Sequence, residues 1–410
     1  MYNVQLPGRN HASLKKRALC CLCAFILLLT TSLPAFAKGD VTINVYNWGE
    51  YIDLDVLEMF EEENPGIKVN YTTFDSNESM YSKLMSGAAS YDVVIPSEYM
   101  ISKMIKEDML LPLDFDNIPN YKYIGESYLG LEYDPDNTYS VPYTWGTVVI
   151  IYNSDYVDPE DVADESSMLL WNEKYAGKIL MFDNPRDAFG IALPLLGYSM
   201  NSNNRKEWEE AKELLAKQKP LVQAYVMDAI FDKLESGEAW IGPYYAGDAL
   251  IIQEENEAIR YYNPKEGTNM FLDAMCVPAT ATHKKEAEMF INFMCRPDIA
   301  ALNAEAIGYA TPNTGAMEIL GPEVTGNELV YPSAEFLSEH TEVFRDLTTE
   351  ISVLQSQLWT SLKIASSESG NEEPDPINWI DVSCILIIVL IAAGAVWHAI
   401  VSRRKKKLWQ

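Results

Sequence analysis

The stretch VTINVYNWGEYIDLDVLEMFEEENPGIKVNYTTF, residues 41–74, decides the fold. Residues 41–46 are rich in β-branched and aromatic side chains, which is typical of a strand. Apolar residues at helical spacing follow, with acidic residues on the opposite face, until the pair Pro65-Gly66 ends the helix. Residues 67–71 then alternate between apolar and polar, which is typical of a strand. The stretch therefore predicts a strand, a helix and a second strand.

The same alternation continues along the chain. A short apolar run at 92–95 predicts a strand, and residues 98–109 predict a helix. Further strand patterns follow at 147–152, 178–182 and 271–277. Strands that alternate with helices indicate a parallel α/β sheet with right-handed crossovers.

The composition indicates a globular protein with an excess of acid. Hydrophobic residues make up 48% of the 410 residues, and 31 Lys+Arg against 60 Asp+Glu give a net charge of −29. Affinity for nucleic acid comes from Lys and Arg, so this balance argues against a nucleic-acid partner. It suits a cationic ligand instead.

The pattern of the N-terminal end predicts a secretory signal peptide over residues 1–37. A basic segment precedes an apolar stretch at 18–30, and Ala35-Phe36-Ala37 provides a small-x-small cleavage site. A retained membrane anchor is the alternative, and the shortness of the apolar stretch disfavours it. We therefore expect the body of the protein to be exported.

The C-terminal end carries a second apolar run, at 382–401, followed directly by basic residues at 403–407. A run of about 20 apolar residues is long enough to cross about 30 Å of hydrocarbon. The pattern predicts a transmembrane helix that anchors the body at the cell surface or periplasmic side of the cytoplasmic membrane. Residues 402–410 are predicted to form a basic cytoplasmic tail, and the polar stretch 365–381 is predicted to be a stalk.

The sequence between these ends lacks the motifs of hydrolases and of metal, phosphate or redox sites. It contains two histidines, far apart, and two cysteines, Cys276 and Cys295, for which we do not expect a disulfide. No catalytic residue, metal site or cofactor is predicted. A pair of carboxylates could in principle serve a carbohydrate-active enzyme, but so many acids make any pair uninformative.

Aromatic and acidic residues recur near the ends of predicted strands. In open α/β sheets, ligands bind at the carboxyl ends of the strands. Aromatic faces attract ammonium groups, and a buried ammonium also needs a carboxylate partner. The pattern therefore suits an amine site, although each aromatic taken singly is more often part of a core. The residues are Trp48, Tyr51, Ser97, Tyr99, Tyr244, Tyr245, Asp248, Phe271, Asp273 and Tyr309.

Several blocks in this body resemble the periplasmic spermidine/putrescine-binding proteins, and they recur in order from about 42 to 364. The blocks are Tyr-Asn-Trp-Gly-Glu-Tyr at 46–51, Ser-Asn-Glu at 76–78, Tyr-Asp-Val-Val-Ile-Pro-Ser at 91–97, Val-Pro-Tyr-Thr-Trp-Gly at 141–146, Pro-Lys-Glu-Gly at 264–267 and Ile-Gly-Tyr-Ala-Thr-Pro-Asn at 307–313.

The resemblance implies a binding protein that closes about a hinge and delivers its ligand to the permease of an ABC importer. The expected fold class is α/β, a two-lobed periplasmic-binding-protein fold of type II, with the C-terminal transmembrane helix added. Lobe one is expected at 38–146 and 272–325, and lobe two at 147–271 and 326–364.

The resemblance also implies ligand-binding positions and departures from the family pattern. Asn184 stands where spermidine binders have Asp, and Tyr245 and Phe271 stand where they have Trp. Asp248 is similar to the acid of the putrescine-binding branch. These departures leave the preferred polyamine open, and another organic cation or amine is the alternative ligand. The other positions are Trp48, Tyr51, Ser97, Tyr99, Asp187, Asp273 and Tyr309.

Overall fold

The computed structural model describes residues 41–364. The predicted signal peptide, stalk, transmembrane helix and cytoplasmic tail lie outside these residues. The chain divides after Ser352. Residues 41–352 form one compact unit, and residues 353–364, the described part of the second unit, are helical.

The described residues form ten strands and thirteen α-helices, joined by loops and short 3₁₀ turns. The strands are β1 (Val41–Trp48), β2 (Ile67–Phe74), β3 (Val93–Val94), β4 (Ser140–Asn153), β5 (Ile179–Phe182), β6 (Val222–Val226), β7 (Ile241–Tyr245), β8 (Ile259–Tyr262), β9 (Thr268–Cys276) and β10 (Thr341–Glu342). The helices are α1 (Leu54–Glu63), α2 (Asn77–Ser86), α3 (Glu98–Lys106), α4 (Pro159–Val162), α5 (Pro185–Leu195), α6 (Arg205–Gln218), α7 (Ile230–Glu235), α8 (Ala246–Glu255), α9 (Lys284–Met294), α10 (Pro297–Ile307), α11 (Thr314–Thr325), α12 (Ala334–His340) and α13 (Thr349–Ile364).

The strands form one connected sheet in the order β2-β1-β3-β9-β4-β7-β5-β6, with β8 on β4 and β10 on β9. As predicted, β1 runs parallel to β2 and β3, and β5 runs parallel to β6 and β7. The strands β4 and β9 run antiparallel to each other, and β9 is antiparallel to β3. The parallel pattern predicted from the sequence therefore holds on both sides of an antiparallel centre.

The strand β4 is 14 residues long and belongs to both parts of this sheet. Its first part, residues 140–147, pairs with β9, and residues 148–153 pair with β7 and β8. All but one of its residues are buried. A long, buried strand thus connects the two groups of parallel strands.

The predicted fold class needs a correction at its C-terminal helix. Crossing a membrane takes about 20 predominantly apolar residues. The longest helix within residues 41–364 is α13, with 16 residues, and no helix there is both long and apolar enough to cross a membrane. The predicted span at 382–401 lies outside the described residues, so the fold class is described without a transmembrane helix.

The two cysteines of the body are free and buried, in agreement with the expectation that they form no disulfide. Cys276 ends the central strand β9, and Cys295 directly follows α9. Burial raises the pKa of both thiols, so both stay protonated. They behave as small apolar side chains.

The helix α1 attaches to the rest of the unit through an aromatic contact. Its N-cap Asp53 accepts a hydrogen bond from the amide of Asp55, which satisfies one free amide of the first turn. At its other end the fully buried ring of Phe60 contacts Phe290 and Phe293 edge-on, with centroids 5.2 and 5.4 Å apart. This contact helps to place the loop that leads from β1 into α1.

We predict that Phe60→Ala lowers the free energy of unfolding by about 3–5 kcal/mol, the usual cost of emptying a buried aromatic site. Leu54→Ala on the same helix is the control. Leu54 is 62% exposed, so its loss is expected to change stability by less than about 0.5 kcal/mol. Urea denaturation followed by fluorescence measures both variants. Equal effects in the two variants would contradict the assigned packing.

Candidate functional site

The main candidate site is a cavity at the ends of the central strands, with about 630 Å³ of space including the solvent at its mouth. Loops after β1, β2, β3, β5, β6 and β7 contribute to it, together with β9. The cavity is lined by Trp48, Gly49, Tyr51, Asp75, Asn77, Ser97, Glu98, Tyr99, Arg186, Asp187, Met227, Asp228, Tyr244, Tyr245, Asp248, Asn269, Phe271, Asp273, Tyr309 and Phe344.

The structure brings together every ligand-binding residue predicted from the sequence except Asn184. Asn184 caps the N-terminus of α5, where its Oδ1 accepts a hydrogen bond of 2.8 Å from the amide of Arg186. It is absent from the lining of the cavity, and its contribution is to fix the helix whose first turn carries Asp187.

Aromatic rings form the walls of the cavity and contact one another. Tyr309 meets Tyr51 edge-on at 4.9 Å and Phe271 at 5.9 Å between centroids. Phe271 in turn meets Tyr245 at 5.3 Å. On the opposite side of Tyr309, a Cβ at Gly247 would stand 2.2 Å from its ring, so only glycine permits this approach. The rings therefore hold fixed positions around the central space.

Four carboxylates of the cavity each accept a hydrogen bond from a tyrosine hydroxyl. Tyr51 donates to Asp273 at 2.6 Å, and Tyr309 donates to Asp248 at 2.7 Å. The same contact joins Tyr244 to Asp228 at 3.0 Å and Tyr245 to Asp187 at 3.1 Å. A phenol satisfies one lone pair of a carboxylate and supplies no charge. These contacts orient the acids and leave their charge uncompensated.

Acids outnumber bases strongly among the described residues that line the cavity. Arg186 is the single cationic side chain there. Its guanidinium donates to the carbonyl of Met200 at 3.0 Å and to Asn201 Oδ1 at 2.7 Å, and stacks over Phe344 at 4.2 Å. These contacts hold the guanidinium in the wall. The six carboxylates are Asp75, Glu98, Asp187, Asp228, Asp248 and Asp273.

Burial raises the pKa of the inner carboxyls because it removes water from their charged form. The pKa rises to about 6 for Asp273, about 7 for Asp187 and about 8 for Glu98, and that of Asp248 rises well above its usual range. Hydrogen bonds from Ser97 and Tyr51 to Asp273, and from Tyr245 to Asp187, oppose this effect only in part. Arg186 lowers the pKa of Asp187 and Glu98 only in part, so ionised carboxylates in this cavity need more cationic charge than the lining supplies.

Sequence reasoning missed several residues of the lining. Glu98 stands between Ser97 and Tyr99, so its position in that motif was the available signal. Asp75 and Asp228 lie at the exposed rim, after β2 and β6. Phe344 follows the short strand β10, and no local pattern connects that segment with the cavity.

The arrangement can bind a linear cation with apolar segments between its charges. Aromatic faces suit methylene groups and ammonium groups alike, and the carboxylates supply hydrogen-bond acceptors. Within residues 41–364, no group of three or more His, Cys, Asp or Glu side chains is arranged to hold a metal ion.

Comparison with known proteins identifies relatives over most of this chain. The family described as "Bacterial extracellular solute-binding protein" matches residues 55–330. A spermidine/putrescine-binding periplasmic protein of Salmonella typhimurium is 39% identical over 306 residues, which are 74% of this chain and 87% of that protein. A putrescine-binding periplasmic protein of Escherichia coli is 31% identical and covers 82% of this chain and 95% of its own length. The resemblance seen in the sequence motifs is confirmed.

Solved structures extend the likeness to the fold. A putative spermidine/putrescine ABC transporter protein from Listeria monocytogenes has a TM-score of 0.74 at 39% identity, covering 79% of this chain and 99% of that one. The substrate-binding protein PotD of a spermidine/putrescine ABC transporter from Streptococcus pneumoniae, in complex with calcium and HEPES, has a TM-score of 0.67 at 40% identity. It covers the same shares of the two chains. These likenesses support an α/β, two-lobed periplasmic-binding fold.

The raised pKa of Asp187 predicts that the free energy of unfolding decreases as the pH rises. A carboxyl whose folded pKa lies above its unfolded value favours folding fully below the unfolded pKa, and this contribution is lost as the pH rises through the folded pKa. For Asp187 that window runs from 3.8 to about 7. Asp187→Asn removes the titration. Relative to the ligand-free wild type, the variant should gain at least about 1.4 kcal/mol of stability between pH 5 and pH 8, the equivalent of one pKa unit.

Urea denaturation of both proteins across this pH range measures the difference. Asp55→Asn, a change at an exposed position of α1, serves as the control and should show a difference that does not vary with pH. A stability difference for Asp187→Asn that is constant from pH 5 to pH 8 would contradict a raised pKa.

Proposed function

This chain belongs to the bacterial extracellular solute-binding proteins, and we propose that its ligand is a polyamine, putrescine or spermidine, which it delivers to an ABC importer. The family membership rests on the match over residues 55–330 and on relatives that span most of the chain. The relatives named above are described as binders of spermidine and putrescine, or of putrescine. The protein acts by binding and release, and no chemical change of the ligand is part of the proposal.

One observation carries the proposal: six carboxylates and one arginine line a single aromatic cavity. Four of the six, Glu98, Asp187, Asp248 and Asp273, are more than nine-tenths buried. A buried carboxylate without a cation is unstable as an ion, because transfer from water costs several kcal/mol. A ligand with two or more ammonium groups on an apolar chain meets this requirement.

In the proposed complex the buried carboxylates bind the ammonium groups of the ligand. Asp187, Asp248 and Asp273 accept hydrogen bonds from the ammonium groups, in addition to those from their tyrosines. Each of these carboxylates keeps lone pairs beyond the one that accepts from its tyrosine, so a further donor can be bound.

The aromatic residues and Ser97 complete the proposed site. The rings line the methylene chain and flank the ammonium groups. Ser97 lies beside Asp273 through an antiparallel β-bridge, and its hydroxyl accepts a hydrogen bond of 3.0 Å from Asn77. A contact from Ser97 to the ligand would therefore be made from a fixed position. The rings are those of Trp48, Tyr51, Tyr99, Tyr245, Phe271 and Tyr309.

We propose that closure of two lobes around the polyamine produces the form that the permease recognises. The proposed lobes are those expected from the sequence, 38–146 with 272–325 and 147–271 with 326–364. The contact of Tyr309 with Asp248 and Gly247 then joins lobe one to lobe two. A cation between the lobes would hold this arrangement, since acids from both sides face the same space.

The proposed place of action is the exported side of the cytoplasmic membrane. The relatives from Salmonella typhimurium and Escherichia coli are described as periplasmic. The partner at the membrane is the permease of the importer. Another organic cation remains the second candidate ligand, because Tyr245 and Phe271 replace the tryptophans expected at these positions of the cavity wall.

A thermal-shift series tests the proposed ligand class. The protein is unfolded in the presence of putrescine, spermidine, spermine, a set of sugars and a set of amino acids. A ligand at about 100 times its dissociation constant adds about 2.7 kcal/mol to stability, which raises the unfolding midpoint measurably. We expect a shift with polyamines alone. A shift with a different compound, and none with any polyamine, would leave the fold unaffected and reject the ligand.

We predict that Asp273→Asn weakens polyamine binding by about 1.5–3 kcal/mol, the cost of a lost hydrogen bond to a charged group. The neutral amide keeps the size of the side chain and can still accept from Tyr51. Asp55→Asn, at the surface, removes the same charge away from the cavity and should leave affinity unchanged. Isothermal titration calorimetry measures both. Unchanged affinity in Asp273→Asn would exclude this residue as an ammonium partner.

A further inference from the structure

A second cavity lies behind the candidate site, with about 1540 Å³ of space that is open to solvent. It shares four lining residues with the first cavity, namely Glu98, Tyr99, Phe271 and Phe344. These side chains therefore lie along the wall where the two cavities meet. The first cavity also adjoins an open groove, with which it shares Asp228 and Asp248.

Glu98 is the unusual member of this wall. It is 1% exposed, and its Oε2 accepts a hydrogen bond of 2.9 Å from the amide of Leu272. Its Oε1 has no hydrogen-bond partner among the described residues. Unlike Asp187, Asp248 and Asp273, it receives no hydrogen bond from a tyrosine of the cavity. An orphaned oxygen on a buried carboxyl needs a donor, and none within residues 41–364 makes a hydrogen bond to it.

The other carboxylates around the second cavity already have partners. Glu132 contacts Arg345 at 3.2 Å, and Asp346 contacts Lys106 at 2.7 Å. Glu342 accepts a hydrogen bond of 2.7 Å from the Ser199 hydroxyl. The rest of the lining includes apolar and aromatic side chains, among them Tyr128, Leu131, Tyr133, Met270 and Leu272. The second cavity thus has an apolar part beside polar side chains and the cations Lys106 and Arg345, which are paired with Asp346 and Glu132, and Glu98 is the carboxyl at its junction with the first.

We propose that the second cavity receives the outer arm of a linear polyamine with three or more amines, and that Glu98 binds the amine at the junction. This inference rests on the proposed function. A diamine would be held by Asp187, Asp248 and Asp273, without a contact to Glu98. In a triamine or tetraamine the chain continues past Glu98, beside the rings of Phe271 and Phe344, and its methylene groups lie on the apolar wall behind. Glu98 then determines the preference for long over short polyamines.

Glu98→Gln tests the role of the carboxyl, with putrescine, spermidine and spermine titrated by calorimetry into the whole protein. The loss of a charge-assisted hydrogen bond should weaken the binding of spermidine and of spermine about tenfold or more. The affinity for putrescine should fall less than about threefold, because putrescine does not contact this charge. Glu58→Gln, an exposed position on α1, is the matched control and should leave all three affinities unchanged.

A steric variant tests the second cavity itself. Ser127 lies at its exposed edge, so Ser127→Trp should fold and fill part of the space without a change in charge. We expect this variant to weaken the binding of spermine more than that of spermidine, and to leave the affinity for putrescine unchanged. This variant keeps the inference falsifiable if Glu98→Gln unfolds, which circular dichroism would reveal.

The outcomes separate this inference from the proposed function. Equal losses of affinity for all three amines in Glu98→Gln would overturn the proposed role of the second cavity, as would unchanged spermine binding in Ser127→Trp. Either result would leave the proposal of polyamine binding in place. A wild-type protein that binds none of the three amines would overturn the proposed function, and this inference with it.

Discussion

The antiparallel pairing of β4 with β9 is the interaction on which the candidate site depends. Its register sets Asp273 opposite Thr144 and Phe271 opposite Gly146. The same strand β4 continues into the pairing with β7, where Val148 stands opposite Tyr245. One long strand thus fixes the spacing between acids and rings that come from both groups of parallel strands. A shift of its register by one residue would turn each of these side chains to the other face of the sheet.

The cavity holds carboxylates in a state that is unfavourable for the folded chain alone. Burial raises the pKa values of Glu98, Asp187, Asp248 and Asp273, so each costs stability when it is ionised at neutral pH. Tyrosine hydroxyls orient three of these acids without supplying charge. A cationic ligand offsets the cost, which couples its binding to both stability and pH. Strongly perturbed acids in a cleft are typical of functional sites.

Local pattern was a good guide to the parallel strands and to several helices. Glu98–Lys106, for example, forms a helix within the stretch 98–109 for which the sequence pattern predicts one. It did not show that β4 begins at Ser140 or that the central strands run antiparallel, because strand direction depends on a partner far along the chain. The predicted transmembrane helix has no support among the described residues. Asn184 shows a related limit, since its position in the motif suggested a ligand contact and the structure gives it a helix cap.

The sequence by itself determined the α/β alternation, the excess of acid and the motifs that place this chain in its family, since all three are properties of local order or of composition. The tertiary structure decided which of the 60 acidic residues matter. Asp248 and Tyr309 are 61 positions apart, and Tyr51 and Asp273 are 222 apart, yet each pair shares a hydrogen bond. Burial, pKa and the empty acceptor on Glu98 all arise from such distant contacts. These properties exist only in the folded chain. In the unfolded chain the acidic side chains are solvated by water and rotate freely, so they are not buried and make no lasting contacts.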